Sequence, residues 1–260
     1  MGRKTIYRTG EKNINNFGSE MIIVEYRMNK DIDVYFPEYN WIFKGVTYQN
    51  FKNGDIKCPY EKSVYDVGYI GEGEYKVNKN GKNTRVYDIW KGMLRRCYDE
   101  KSLKRNPTYK DCKVSNEWLN FQNFAKWYEE NYYKVEGETM CLDKDILVKH
   151  NKIYSPETCV FVPQAINKLF TKRDNDRGES VIGTSLRKNG KYRVRCNMIN
   201  PKTGKFKSEY LGTYDTQEKA FEIYKYYKEK NIKVVADYYK DLIPTILYDA
   251  LYNYEVEITD

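Results

Sequence analysis

The sequence predicts an α+β protein made of several small folded parts. Three observations support this fold class. Short β-rich runs fill the first 60 residues, a helical period of apolar residues begins near residue 87, and alternating strands followed by a helix-capping signal occupy the last third. A length of 260 residues allows one large domain or two to three small ones. The 27 tyrosines supply aromatic packing with a polar tip, which suits thin cores.

Composition shifts along the chain predict four segments. Residues 1–19 are basic and polar and predict a flexible arm, and residues 20–62 predict a small β-domain. Residues 63–173 form a central domain with a ββα finger and flanking helices. Residues 174–260 form a C-terminal domain with a three-stranded antiparallel sheet, a helix and a helical tail; a charged linker at 171–180 marks its start.

In the N-terminal part, four runs have strand character and one dipeptide predicts a hairpin. The strands are expected at Met21–Tyr26, Ile32–Phe36, Trp41–Val46 and Tyr48–Phe51. Asn80-Gly81 is a hairpin-turn signal.

The central part reads as two helices followed by the finger. The first helix is expected to bury Trp90, Met93, Leu94 and Cys97, and the second, near 119–131, to bury Phe121, Phe124, Ala125 and Tyr128. The stretch 141–170 then reads as a strand, a loop, a Ser-Pro-Glu turn, a second strand and a helix start.

The C-terminal part predicts three strands, at 181–187, 191–199 and 205–211, with Asn189-Gly190 as the first hairpin turn. Asp215 is predicted to cap the following helix, with Glu218 completing a capping box. A final helix is expected near 246–254. The buried face of the capped helix is expected to carry Ala220, Phe221, Tyr224 and Tyr227.

Charge is distributed unevenly. The formal net charge is +8. Residues 172–231 hold 15 Lys or Arg against 8 Asp or Glu, a net of +7, whereas 233–260 hold 2 against 6, a net of −4. A basic block beside an acidic tail favours a polyanion-binding domain.

No apolar run approaches the ~20 residues of a membrane span, and the N-terminus lacks the apolar stretch of a secretory signal. We therefore expect a cytoplasmic protein, with no membrane partner and with free thiols. A zinc site from Cys97, Cys112, Cys141 and Cys159 is conceivable, but the irregular spacing makes zinc unlikely.

One face of the C-terminal sheet is predicted to be cationic, because the basic residues alternate along the strands. A two-stranded ribbon can enter the major groove, where Arg reads guanine and Lys contacts phosphate. Like charges opposite one another also argue mildly for an anionic partner. Double-stranded DNA is therefore the predicted partner, and the predicted contact residues are Arg187, Lys191, Arg193, Arg195, Lys205 and Lys207.

Residues 178–230 resemble the ethylene-response-factor (AP-two) DNA-binding domain. The matching residues are Ile182-Gly183-Thr184-Ser185, Lys191-Tyr192-Arg193-Val194, Tyr210-Leu211-Gly212-Thr213-Tyr214-Asp215-Thr216 and Glu218-Lys219-Ala220. The helix departs from that family, since tyrosines and lysines stand where alanines are common.

Residues 85–170 resemble phage H-N-H endonucleases, many of which carry such a C-terminal domain. The matching residues are Trp90, Met93, Arg96-Cys97-Tyr98, Trp118, Phe121, Phe124, Leu142-Asp143-Lys144-Asp145, Tyr154-Ser155-Pro156-Glu157-Thr158-Cys159 and Ile166-Asn167. The resemblance implies a phage or prophage protein in a bacterial host cell.

The resemblance also implies a catalytic site with one divalent ion, Mg²⁺. By position, Asp143 and Asn167 would be metal ligands, Lys144 stands where the family has its histidine base, and Thr158 stands where an asparagine would orient it. A lysine with a pKa of about 10.4 is a poor base at neutral pH and would repel the ion.

Two residues near this position remain open to two interpretations. His150, the only histidine, could swing in as the base or lie at a solvated loop tip. Asp143 and Asp145 could bind Mg²⁺, or Asp143 could hold the loop through backbone hydrogen bonds.

Three functions are therefore predicted. The first is a phage DNA-binding protein with a degenerate H-N-H core. The second is an active H-N-H endonuclease of homing type. The third is an inhibitor that binds a host defence or transcription protein through its Tyr-rich surface and acidic tail.

Overall fold

The computed structural model describes residues 7–171 and 180–259. The chain divides into two compact units, Met1–Glu130 and Asn131–Asp260. Both units mix helices with small sheets, so the predicted α+β class is confirmed. In the described ranges, no helix combines the length and apolar character needed to cross a membrane.

The first unit opens with a four-stranded antiparallel sheet. Its strands, in spatial order, are β1 (Lys12–Ile14), β2 (Glu20–Met28), β3 (Asp31–Phe36) and β4 (Trp41–Val46). Alternate side chains of the middle strands fill one core. Its buried members are Met21, Ile23, Ile32, Val34, Phe36, Phe51, Ile56 and Cys58.

The predicted flexible arm, residues 1–19, is wrong over residues 12–19; residues 1–6 lie outside the described ranges. β1 pairs with β2, and the buried Asn15 holds the turn between them, accepting from the Ser19 N–H at 2.8 Å and donating to the Ile56 carbonyl at 3.0 Å. Polar composition hid this structure, because the stabilising partners lie elsewhere in the chain.

The predicted strand Tyr48–Phe51 is also wrong, because Tyr48–Asn53 is a helix, α1. The Thr47 hydroxyl caps it by accepting from the Asn50 N–H at 3.1 Å. Gly54 ends it in the left-handed conformation at φ 77°. These two caps outweigh the strand preference of the aromatic residues between them.

The rest of the first unit consists of short elements around an aromatic core. The Asn80-Gly81 hairpin is confirmed, between β5 (Asn78–Lys79) and β6 (Lys82–Asn83). There follow α2 (Arg85–Tyr98), α3 (Glu100–Arg105), β7 (Lys113–Val114) and α4 (Phe121–Asn131), which runs one residue past the unit boundary. The predicted buried face of α2 is confirmed; on α4, Trp127 is buried and Tyr128 only half-buried.

The second unit begins with the ββα segment, in the predicted order. β8 (Met140–Asp143) pairs antiparallel with β10 (Val160–Pro163), and the short helix α5 (Gln164–Asn167) follows directly. The intervening loop contains the two-residue strand β9 (Ile153–Tyr154).

A three-stranded antiparallel sheet follows, with strand order β11 (Thr184–Leu186), β12 (Tyr192–Ile199) and β13 (Phe206–Tyr214). The three predicted strands are thus confirmed with shifted ends. Most of the predicted charged linker, residues 172–179, lies outside the described ranges. The second unit ends with α6 (Gln217–Tyr239) and α7 (Thr245–Tyr252).

Helix α6 packs across β12 and is capped one residue later than predicted. Thr216, not Asp215, is the N-cap, and its hydroxyl accepts from the Lys219 N–H at 3.3 Å. Asn231, 1% exposed, ties the helix to the sheet by accepting from the Ile199 N–H at 2.8 Å and donating to the Asn197 carbonyl at 3.0 Å.

The buried face of α6 differs from the prediction. Ala220 and Tyr224 are buried, whereas Phe221 and Tyr227 are only half-buried. The face continues through the buried Lys228, whose ammonium donates to the Leu169 carbonyl at 2.7 Å. Lys228 therefore takes the place on the buried face that the prediction gave to its neighbour Tyr227.

Candidate nucleic-acid interface

The outer face of the C-terminal sheet is set by the register of its strands. Arg193 stands opposite Ser185 on one side and Thr213 on the other. Arg195 stands opposite Tyr210. Because directly paired residues of antiparallel strands point to the same side, these side chains share one face, while the buried Val194 and Cys196 point towards α6.

The first hairpin extends this face. The Arg187 N–H donates to the Lys191 carbonyl at 2.8 Å, so these two residues pair across the Asn189-Gly190 turn, in step with Ser185 and Arg193. Gly190 adopts φ 77°, the conformation that the turn requires. A shallow depression beside the hairpin is lined by Leu186, Arg187, Lys188, Asn189 and Thr213.

Two of the predicted contact residues do not share this face. Lys207 stands opposite Met198, on the side of Cys196, and forms an ion pair with Glu209 at 3.4 Å. Lys205 precedes β13 and lies in the turn where its carbonyl accepts from the Asn200 N–H. The prediction that both lysines line the arginine face is therefore wrong. Strand pairing, and not the charge of a side chain, determines which side of the sheet that side chain faces.

A β-bulge reshapes the middle of the face. Val194 pairs with Gly212, but Arg195 pairs with Tyr210, so Leu211 is an extra residue in β13. A bulge increases the local twist of a strand pair. The bulge lies directly beside Arg195, so the added twist changes the curvature of the face at this residue.

Sequence reasoning missed Tyr210 as a member of this face. Its side chain is 57% exposed, and its hydroxyl lies 2.8 Å from the Thr213 Oγ1. Counting alternate residues from Phe206 would have placed Ser208 and Tyr210 on the same side as Arg195. The tyrosine adds an amphipathic ring to a face that is otherwise basic and polar.

The arginines of this face carry unneutralised charge. Within residues 7–171 and 180–259, no carboxylate forms an ion pair with Arg187, Arg193 or Arg195; Arg193 donates weakly to the Ser185 hydroxyl at 3.4 Å. Lys191 differs, since its ammonium lies 2.8 Å from Asp215, a contact that raises the pKa of Lys191. Clustered like charges favour an anionic ligand.

In the ββα segment, Asp143 holds the loop that follows β8. Its Oδ1 accepts from the Asp145 N–H and the Ile146 N–H, both at 2.8 Å. Burial raises the pKa of the Asp143 carboxyl, and the two N–H donors act in the opposite direction. Of the two interpretations of Asp143, the structure shows the backbone-binding one.

Lys144 is a structural cation in the same loop. It is 6% exposed, and its ammonium donates to Asp145 Oδ1 at 2.5 Å and to the Asn151 carbonyl at 2.8 Å. The Asn151 side chain returns a hydrogen bond to the Lys144 carbonyl at 2.8 Å. The residue that the resemblance places at the base position is therefore held as a hydrogen-bond donor.

His150 lies at an exposed loop tip, with φ 61°. Its Nε2 is 3.0 Å from Glu257 Oε2 in the C-terminal segment. The His150 ring and the Lys149 ammonium hold the pKa of Glu257 below its ordinary value. The loop-tip interpretation of His150 matches this geometry.

The residues of the loop do not fit a bound Mg²⁺. Asp143 already uses one oxygen for two amides, and Asp145 is paired with a buried ammonium that would repel the ion. Asn167, the other predicted metal ligand, ends α5, and its carbonyl accepts from the Phe170 N–H. Thr158, predicted to orient the base, donates its hydroxyl to the Ile153 carbonyl at 2.8 Å. Among the described side chains, no three His, Cys, Asp or Glu converge on one point.

The six cysteines are free thiols. Burial raises the pKa of Cys159 to about 12, which keeps it protonated.

Comparison of this chain with protein-family models, with curated proteins and with solved structures finds no match.

Proposed function

We propose that this chain is a sequence-specific DNA-binding protein of phage or prophage type, and that the outer face of the C-terminal sheet binds duplex DNA. The observation that carries the proposal is the pair Arg193 and Arg195, which lie on the same side of one strand without a described carboxylate partner; Arg195 is exposed and Arg193 half-buried. The sheet and α6 would then act as an AP-two-like domain within residues 174–260.

The spacing of the two arginines suits a duplex. Alternate residues of a strand lie about 7 Å apart, and base pairs rise about 3.4 Å, so two arginines can address bases roughly two steps apart. Arg187 and Lys191 at the hairpin end extend the charge along the same face, in reach of phosphates. The twist at the bulge adapts the ribbon to a groove.

The proposed role of residues 63–173 is a degenerate H-N-H-like core that supports binding and does not cut DNA. A general base needs a group free to accept a proton. Lys144 is an engaged donor, and His150 is paired with Glu257. The order of strands and helix favours the nuclease fold, while these contacts favour a structural use of it.

Replacing Arg193 and Arg195 together with alanine tests the proposal. We expect weaker duplex binding, because each base-reading arginine contributes about 1–3 kcal/mol, and a slope of log K against log salt that is less steep, because two positive charges are lost. Fluorescence anisotropy on a labelled duplex at several salt concentrations measures both quantities.

The matched control is Lys205→Ala with Lys207→Ala, which removes the same charge from outside the arginine face. Equal losses in the two double variants would refute the assignment of the face. If the protein binds no duplex at low salt but captures a host protein, the inhibitor function replaces the present proposal.

A further inference from the structure

A second basic surface lies in the first unit. Residues 79–113 contain eleven Lys or Arg against four Asp or Glu, a net formal charge of +7. Seven of the exposed cations in this range lie on α2, on α3, in the turn that follows and in β7. We name this the α2–α3 basic surface, and its members are Lys91, Arg95, Lys101, Lys104, Arg105, Lys110 and Lys113.

Local contacts hold this surface in one arrangement. Asp99 separates the two helices and caps α3, accepting from the Ser102 N–H at 2.7 Å. The Tyr98 hydroxyl accepts from the Val114 N–H at 3.0 Å, which fixes β7 against the end of α2. The Arg96 guanidinium lies 5.9 Å from the centre of the Tyr109 ring. The basic side chains thus project from a packed frame.

The charges on this surface are not compensated within the described residues. No ion pair there joins any of its seven members to a carboxylate. Lys101 and Arg105 stand four residues apart on one helix, as do Lys91 and Arg95, and such like-charged neighbours repel. Asp88 lies within α2 and accepts from the Asn83 amide at 2.8 Å, and Asp99 is committed to its capping bond. Glu100 begins α3 and forms no ion pair with these cations in the described ranges.

The side-chain chemistry favours a phosphate backbone over bases or lipid. Readers of single strands stack bases on exposed aromatic rings, but Tyr98 and Tyr109 are half-buried and engaged in the frame. Binding in a lipid interface needs exposed apolar side chains, and the exposed large hydrophobic residues of the described chain all lie outside 79–113. Lysines without base-reading partners suit sequence-independent contacts.

We propose that the α2–α3 basic surface is a second DNA contact, which binds the phosphate backbone of a duplex irrespective of sequence. This inference rests on the proposed function for its ligand, but on different residues in a different unit. It gives the protein a general affinity for DNA beside the contacts made by the arginine face.

The test uses the full chain with Lys101→Gln, Lys104→Gln and Arg105→Gln. Glutamine keeps the helix propensity of the exposed positions. The matched control is Lys30→Gln, Lys44→Gln and Lys52→Gln, which removes the same charge from exposed positions of the same unit. The probe is a labelled 40-base-pair duplex pool of random sequence, titrated at several salt concentrations; thermal melting checks folding.

We expect the α3 variant to bind roughly tenfold more weakly near 0.15 M salt, with a salt slope lower by about 2.7, while the control stays near the wild type. The inference is overturned if the α3 variant binds like the wild type, or if the α3 variant and the control lose the same affinity. If the inference is overturned while Arg193→Ala with Arg195→Ala weakens binding, the proposed function stands alone. If only the α3 variant weakens binding, the sheet assignment fails and this inference stands.

Discussion

At the scale of single residues, the partners of Lys144 and His150 decide what the loop after β8 can do. The Lys144 ammonium is held by groups one and seven residues away, and His150 meets an acid 107 residues away. The sequence predicted the order of strand, loop, strand and helix, because that order is local. It could not show that these side chains are already engaged, since Glu257 belongs to a distant segment.

Asp143 gives a residue-scale prediction. Asp143→Ala removes the acceptor for two backbone N–H groups and should cost about 1–3 kcal/mol of unfolding free energy. Asp143→Asn keeps an oxygen acceptor and removes a charge whose burial is unfavourable. It should therefore match or exceed the wild-type stability at neutral pH, as measured by urea denaturation.

The difference in stability between the wild type and Asp143→Asn should depend on pH in one direction. Because the folded pKa of Asp143 is raised, its ionised form opposes folding at neutral pH, and protonation relieves that cost as pH falls through the folded pKa. The advantage of Asp143→Asn over the wild type should shrink towards acid pH. An advantage that grew towards acid would contradict the assigned shift.

At the scale of elements, hairpin positions and the buried face of α2 were predictable because their signals are local. Asn80-Gly81 forms the expected two-residue turn. Asn189-Gly190 belongs to a three-residue turn, because Arg187 pairs with Lys191. The helical period of α2 predicted its buried face. The helix at Tyr48–Asn53 was missed because its caps flank aromatic residues with strand preference. The bulge at Leu211 was missed because it depends on pairing between strands.

Asn231 gives an element-scale prediction. Asn231→Ala leaves the Ile199 N–H, which lies under α6, without its acceptor, and should lower the unfolding free energy by about 1–3 kcal/mol. Hydrogen exchange of the Ile199 amide should accelerate relative to the other amides of β12. Asn197→Ala, on the exposed side of the same strand, is the control and should change stability little.

At the scale of the whole molecule, the two units each carry a basic surface with its own arrangement of charge. Net charge predicted the block in residues 172–231, and the strand alternation predicted its arginines. The α2–α3 basic surface escaped prediction because the pattern drew attention to the buried face of α2. Charge counts need the fold to show which cations are exposed and uncompensated.

The molecule as a whole should not cut DNA. Pure protein incubated with supercoiled plasmid and Mg²⁺ or Mn²⁺ should produce no open-circular or linear form, because Lys144 and His150, the two candidate bases, are already hydrogen-bonded. Nicking that disappears in Asp143→Ala would restore the endonuclease function. Nicking that survives in Asp143→Ala would point to a contaminant.

The buried Lys228 has a practical consequence for dissecting the chain. Its ammonium needs the Leu169 carbonyl, which lies before the predicted start of the C-terminal domain at residue 174. A gene fragment that begins at residue 174 would lack that acceptor. Burial of the ammonium without it would lower the unfolding free energy of the fragment. A fragment that begins at Asn131 retains it. The unit to excise is therefore longer than the predicted C-terminal domain that it contains.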